Sequence, residues 1–466
     1  MARNEVATTP CGLPATGPKG DPRKRAPSAL QMLAGGTTPA VLCGTQNCIH
    51  FGPSPRSPDH GRDVCPHRAR CGEDAQQAVA ALTRPCEAFM DAHLLGRLAA
   101  TILALSSLSA AAQTNDDILI GASLPLSGPN AAAGQETLTV AKAAFEALNA
   151  AGGIQGRKVT LKVLDDEFSP PKAAENVRKL EAQGVVALFN CWGTAICRAV
   201  LPVATEGRLP LVTGIGLDDA MRGPAGRYAF NVRPTTDDEI ARMVRQMTTI
   251  GQVRIGVVYQ DDAFGKSGQA AAQGVLARAH LKAVGEFAMA RDGSNVSTVV
   301  QGLRASEAQG VVVVAPPHTA VALIRQARQA GLATQFYCLA AQAHRKMVAD
   351  LGEHTSGVVF TTLVPSPWNA GLPIVREYQQ AVSGATGGKA DYSYLGLEVY
   401  INARVLIEGL RKAGPKVTRE GLVSGLEGMG EKLLAPAVSV RYAPGHRSGS
   451  SYVGLTMVSR AGSFIE

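Results

Sequence analysis

From Ile118 onward, short runs of β-branched residues alternate with longer runs whose apolar positions recur every three or four residues, and the cycle runs twice. Parallel strands cannot be joined by tight turns and need a crossover helix, so this alternation predicts parallel sheets covered by helices. The first cycle opens with Ile118-Leu-Ile-Gly-Ala-Ser-Leu124 as a strand, then helical spacing over 137–150 that stops at Gly152-Gly153. Further strands are expected at 158–164, 185–189 and 210–213, with helices at 171–181 and 195–206. The second cycle predicts strands at 254–259, 284–287, 310–315 and 335–339, with helices at 264–279, 296–305 and 319–330. Helices at 391–413 and 417–426 and a strand-rich tail from 438 complete the pattern. The expected fold is α/β: two Rossmann-like three-layer αβα lobes joined by hinge strands. Ligands of such sheets gather beyond the carboxyl ends of the strands, here in the cleft between the lobes. The hinges are expected near 231–234, 361–365 and 434–440, which makes 113–235 with 364–438 one lobe and 236–363 with 439–466 the other.

The residues before this pattern read differently. Eleven of the 27 prolines and six of the nine cysteines lie in the first ninety positions, without a periodic apolar stretch from which a core could form. At Met90 a second start follows: a short head with His93 and Arg97, the apolar run Leu98-Ala-Ala-Thr-Ile-Leu-Ala-Leu105, then Ala110-Ala-Ala112. This is the layout of a secretory signal peptide over 90–112, too short to remain as a membrane anchor, and it predicts a mature start at Gln113. Residues 1–89 are then expected to be an overextended start. Cys43, Cys48, Cys65 and Cys71 with His50, His60 and His67 match no standard zinc spacing, which agrees with translation of noncoding sequence.

From Gln113 the chain carries 35 Lys+Arg against 30 Asp+Glu without a basic block, which argues against a nucleic-acid surface. Beyond the leader, Cys191, Cys197 and Cys338 remain; Cys191 and Cys197 are either a local disulfide or two small buried apolar residues. No Gly-rich Lys-Ser/Thr phosphate loop and no nucleophile elbow occur, so neither a catalytic residue, a metal site nor a cofactor is expected. A thiol hydrolase built on Cys191 and His318 lacks a second base signature. Asp165-Asp166-Glu167 reads as a strand-end turn, since a calcium loop needs alternating oxygen donors and a distal Glu.

Ile120-Gly-Ala-Ser-Leu-Pro-Leu-Ser-Gly-Pro129, Ala147-Leu-Asn-Ala-Ala-Gly-Gly-Ile-Gln-Gly-Arg157, Asp261-Asp-Ala-Phe-Gly-Lys266 and Ile324-Arg-Gln-Ala-Arg-Gln-Ala-Gly-Leu332 occur in this order. Together they resemble the leucine/isoleucine/valine-binding family of periplasmic proteins, with the type I periplasmic binding fold, from Ile118 to the end. The resemblance implies a periplasmic, monomeric protein that captures a small-molecule ligand and delivers it to an ABC permease, and that is not an enzyme. A ligand-sensing domain feeding a receptor or regulator is the alternative. It also implies a ligand carboxylate at Trp192, Gly193 and Thr194, with Thr213 and Gly214 as a second anchoring loop. The alternative for the two threonines is a cap and a turn, and for Trp192 the core, but strand-end positions and a Gly-flanked loop favour the cleft. Across the cleft the matching positions are Phe264, Pro317 and Ala340, where amino-acid binders of the family place aromatic hydroxyls and a carboxylate for the ammonium. Without that acid, an amine-free aromatic or short-chain acid fits at least as well as a branched-chain amino acid. His318 could add a hydrogen bond.

Overall fold

The computed structural model describes residues 117–128, 130–217, 221–222, 226–459 and 462–465. The expected leader at 90–112 and the extension at 1–89 lie outside the described residues.

Two sheets organise the chain. β1 (Ile118–Leu124) is followed by α1 (Ala131–Ala150), β2 (Val159–Asp165), α2 (Pro170–Ala182), β3 (Ala187–Phe189), α3 (Thr194–Glu206), β4 (Leu211–Val212) and β5 (Ala229–Phe230). The first sheet has the order β2-β1-β3-β4-β5, and every pairing is parallel. The chain continues through α4 (Thr236–Thr249), β6 (Ile255–Gln260), α5 (Ala263–Arg278), β7 (Gly285–Met289), α6 (Val296–Ser306), β8 (Gly310–Val314), α7 (Pro317–Gln329) and β9 (Gln335–Cys338). Then come α8 (Arg345–Leu351), β10 (Val358–Thr362), α9 (Pro373–Ala385), α10 (Tyr394–Lys412) and α11 (Arg419–Glu427). A β11 (Lys432–Ala435) and β12 (Val438–Val440) hairpin precedes β13 (Gly454–Val458) and β14 (Phe464–Ile465). The second sheet runs β14-β13-β10-β9-β8-β6-β7, parallel from β7 to β10 and antiparallel at β13 and β14.

Burial explains the strand composition. β8, Gly-Val-Val-Val-Val, is buried at every position, as a central parallel strand covered on both faces must be. Below the first sheet, Val177 and Leu180 of α2 and Ile196 and Val200 of α3 pack under Leu188 and Leu211. Below the second, Ile240, Met243 and Met247 of α4 meet Val257, Leu276 and Val312.

Three helices were absent from the sequence expectation: α4, the short α8 and α9. α4 starts at a capping box in which Thr235 accepts from the Asp238 amide while the Asp238 carboxylate accepts from the Thr235 amide. α9 starts at Pro373 and buries Ile374, Val375, Tyr378 and Val382 at helical spacing, against α1.

The chain passes between the two sheets three times. The first passage follows β5 through Asn231–Thr235, and the second follows β10 at Thr362. The third falls later than the expected switch at 438/439, which lies inside β12. Asn231 pairs with the 447–449 backbone through Asn231 N to Arg447 O (2.9 Å) and Gly449 N to Asn231 O (2.7 Å), so this stretch stays with the first sheet and β13 is reached only at Gly454. Arg222 ties the first and third passages, donating to the carbonyls of Arg233 (2.9 Å) and Pro234 (2.9 Å) and to Ser448 Oγ (3.2 Å).

A buried charge cluster occupies this junction. The Arg233 guanidinium lies 3.5 Å from Glu239 of α4 and 3.5 Å from Glu398 of α10, all three nearly sealed from solvent. Glu239 also accepts from the Ala340 amide (2.8 Å) and from the Thr361 hydroxyl. Burial pushes the Glu398 carboxyl up from its ordinary 4.5; Arg233 opposes the rise and Glu239 adds to it. A carboxyl whose folded value lies above its unfolded value stabilises the fold when protonated. That contribution is present below pH 4.5 and is lost as pH rises through the folded value. Wild type should therefore lose stability relative to Glu398→Gln as pH is raised from 4.5, measured as urea midpoints. A difference that stays constant or grows the other way would contradict the assignment.

Candidate functional site

Between the two sheets lies a cavity of ≈ 640 Å³. Five helices start at its wall: α1, at its N-cap residue Asn130, and α3 from the first sheet, and α4, α5 and α7 from the second. The first amides of a helix have no intrahelical partner, so each start is a potential anion site. Three of them are already answered. α4 has its capping box, α5 is capped by Asp262, whose carboxylate accepts from Gly265 N at 2.8 Å, and α7 begins Pro316-Pro317, which removes two N–H donors. α1 and α3 differ, because among the described residues no side chain caps either; α1 reaches this cavity only through Asn130, whereas the first two residues of α3, Thr194 and Ala195, form part of its wall.

The α3 start is shaped by two loops in close contact. Gly193 N donates to Ile215 O (2.6 Å) and Ile215 N to Cys191 O (2.8 Å), which brings the chain after β4 against the helix entrance. Gly216 makes the approach possible: at φ 129° a Cβ would stand 2.7 Å from both Gly193 C and Thr194 N. Phe168 lies against Gly193 on the other side, its ring edge-on to Trp192 with centroids 6.3 Å apart.

Opposite this opening, two polar side chains of the second lobe, Gln260 and Gln342, are turned into the protein. Gln260 donates to Asp262 (2.6 Å) and accepts from Thr319 (3.1 Å), while Gln342 donates to Ala315 O (2.6 Å) and accepts from Leu339 N (2.6 Å). Facing the cavity are Phe264, Ala263, Ala315, Pro316, Pro317 and Leu339, with Ser267 and the exposed Arg291 as polar members of the same wall. The lining carboxylates are engaged as well. Glu239 holds Arg233, Ala340 N and Thr361; Asp261 pairs with Lys266 at 2.8 Å; Asp262 caps α5; and Asp292 accepts from Ser294 N at 3.0 Å.

Of the residues singled out in the sequence, Trp192, Gly193, Thr194, Phe264, Pro317 and His318 line one cavity. His318 sits in the first turn of α7 rather than in a loop, and is exposed at the rim. Thr213 and Gly214 do not line it. β4 ends at Val212, Thr213 turns its hydroxyl to Asn190 Oδ1, and Gly214 packs on Cys191 Sγ, so the chain reaches the cavity only at Ile215, Gly216 and Leu217. Cys191 and Cys197 are joined as a disulfide. Sequence reasoning missed Phe168, Arg222, Arg233 and Glu239. Glu239 stands beside Ala340, where no acid was expected, but arrives from α4 and already pairs with Arg233 and accepts from the Ala340 amide and the Thr361 hydroxyl. Asp165 and Asp166 form the expected strand-end turn, accepting from Leu126 N, Ser127 and Glu167 N, and from Ser123 and Phe168 N. A second cavity of ≈ 400 Å³ adjoins the first and shares Asn130, Trp192, Pro317 and His318 with it.

Residues 117–462 match the family model described as periplasmic binding protein. Among curated proteins, "Leu/Ile/Val-binding protein homolog 8" of Brucella abortus is 26% identical over 224 residues, 46% of this chain and 56% of that protein, so the alignment spans little more than half of the relative. Among solved structures, a substrate-binding periplasmic protein from Ralstonia solanacearum superimposes with a TM-score of 0.70 at 30% identity, covering 75% of this chain and 99% of that one. An extracellular ligand-binding receptor from Verminephrobacter eiseniae gives 0.68 at 27% identity, covering 75% and 100%.

Replacing Gly216 tests how the α3 entrance is built. Gly216→Ala must either strain a φ of 129° or push the loop off Thr194, and should cost about 1–3 kcal/mol in denaturant unfolding. An unchanged midpoint would show that the two loops do not need this contact.

Proposed function

The chain belongs to the periplasmic binding protein family, and from that premise we propose that it is the solute-binding component of an ABC importer whose ligand is a small carboxylate without an amine. The single observation behind this reading is the asymmetry of the cavity. One wall offers the uncapped amides of α3 at Thr194 and Ala195, and the other presents Phe264, Pro316 and Pro317. A carboxylate would take the amides and the helix dipole, and an apolar body would bury itself against the second lobe. An ammonium would need a buried partner with a free lone pair, and every lining carboxylate already has its donors. Branched-chain amino acids are therefore the poorer fit of the two classes raised by the sequence. The volume of ≈ 640 Å³ suits a small solute.

In this account the lobes close over the ligand about the three passages, and a membrane permease distinguishes the loaded, closed form from the empty one by its surface. Trp192, Gly193 and Thr194 anchor the carboxylate, Phe264 and Pro317 receive the apolar end, and His318 closes the rim; Thr213 and Gly214 support the anchor from behind. The protein works as a monomer in the periplasm after removal of the leader at 90–112. No described helix is long and apolar enough to cross a membrane.

A thermal unfolding panel tests the ligand class, since a compound that binds only the folded state raises the midpoint; at about 100 times its Kd it adds about 2.7 kcal/mol. Benzoate, isovalerate and related amine-free acids should raise it, and leucine, isoleucine and valine should do so weakly or not at all. A shift confined to the amino acids would overturn the amine-free assignment.

A further inference from the structure

The Trp192–Thr194 anchor sits in backbone that is unfavourable by itself. Asn190 (φ 54°) and Thr213 (φ 68°), the residues on which the two loops leave their strands, both lie in the left-handed region. For a β-branched threonine that conformation is strained. Asn190 Nδ2 and Trp192 Nε1 are also buried without a hydrogen-bond partner among the described residues, a further cost.

Three ties hold the arrangement. Thr213 Oγ1 donates to Asn190 Oδ1, Asn402 Nδ2 of α10 reaches the same oxygen at 3.3 Å, and the Cys191–Cys197 disulfide closes a ring that contains Trp192, Gly193 and Thr194. The disulfide also sets the second loop, because Cys191 Sγ fills the place where a Cβ on Gly214 would stand, 2.6 Å away. With a sequence separation of only 6, this bond removes little freedom from the unfolded chain compared with a long-range one. Its consequence is local.

We propose that the Cys191–Cys197 disulfide, together with the Asn190–Thr213 pair, is a positioning device that holds Trp192–Thr194 and the facing 214–217 loop in the ligand-ready arrangement. Strain kept at a binding loop by surrounding ties is preorganisation: the ordering is done before the ligand arrives and is not charged to its affinity. What the anchor is for rests on the function proposed above. The test needs no ligand, so failure of that reading would leave its outcome standing.

The chain has two tryptophans, so Trp368→Phe leaves Trp192 as the sole emitter. In that background, Cys191→Ala/Cys197→Ala should make Trp192 about threefold more quenchable by acrylamide and speed amide exchange at Gly193 and Ile215 about tenfold, with exchange in β6 unchanged. Unchanged quenching and exchange would overturn the proposal. So would faster exchange spread equally to β6, because the disulfide would then act on global stability. If the double variant does not fold, Thr213→Val decides, since it keeps the disulfide and removes the hydroxyl bonded to Asn190. The same local loosening supports the positioning role, and none refutes it.

Discussion

Arg233, buried between Glu239 and Glu398, governs both where the lobes meet and what the space between them can hold. A guanidinium sealed from water needs carboxylate partners, and here they come from helices on opposite sides of the junction: α4 of the second lobe and α10 of the first. The same demand ties up Glu239. With its oxygens committed to Arg233, the Ala340 amide and the Thr361 hydroxyl, it lines the cavity without offering a free acceptor to a cationic ligand. The junction thus sets the electrostatic character of the site.

The remaining walls follow from how helices begin. Each of the five helix starts around the cavity presents a positive dipole end, but capping side chains or prolines occupy the three that belong to the second lobe. Of the two uncapped starts in the first lobe, α3 is the one whose first residues, Thr194 and Ala195, line the cavity, because Gly193 and Gly216 let two loops meet where any side chain would intrude. Gln260 and Gln342 of the second lobe spend their hydrogen bonds inside the protein, leaving mostly ring and aliphatic surface outward. Anion recognition on one side and apolar contact on the other thus arise from separate local rules.

Much of this was legible in the sequence. The two α/β cycles placed the two parallel sheets and most strands to within a residue or two, because parallel strands covered on both faces read as near-continuous apolar runs. Trp192-Gly193-Thr194 stood out as a glycine-bearing loop between strand and helix. Thr213 and Gly214 were misplaced by two positions, since β4 is only two residues long and its end is pulled over to Asn190 by a side-chain bond between loops 23 residues apart. Glu239 was out of reach for the same kind of reason. Its partners lie at 233, 340 and 361, and nothing local marks such a cluster. The disulfide was left open because spacing alone does not show whether two buried thiols face one another. The helix at α4 was there to be read in its Thr-x-x-Asp start, while the late third passage depends on pairing between Asn231 and residues more than 200 positions away.

The most direct measurement is a crystal structure of the protein grown with benzoate. The account predicts the carboxylate at hydrogen-bonding distance, about 3 Å, from the Thr194 and Ala195 amides, with the ring against Phe264 and Pro317 and Glu239 still bound to Arg233. A carboxylate held elsewhere, or an amino acid carried over from expression with its ammonium on Glu239, would contradict it.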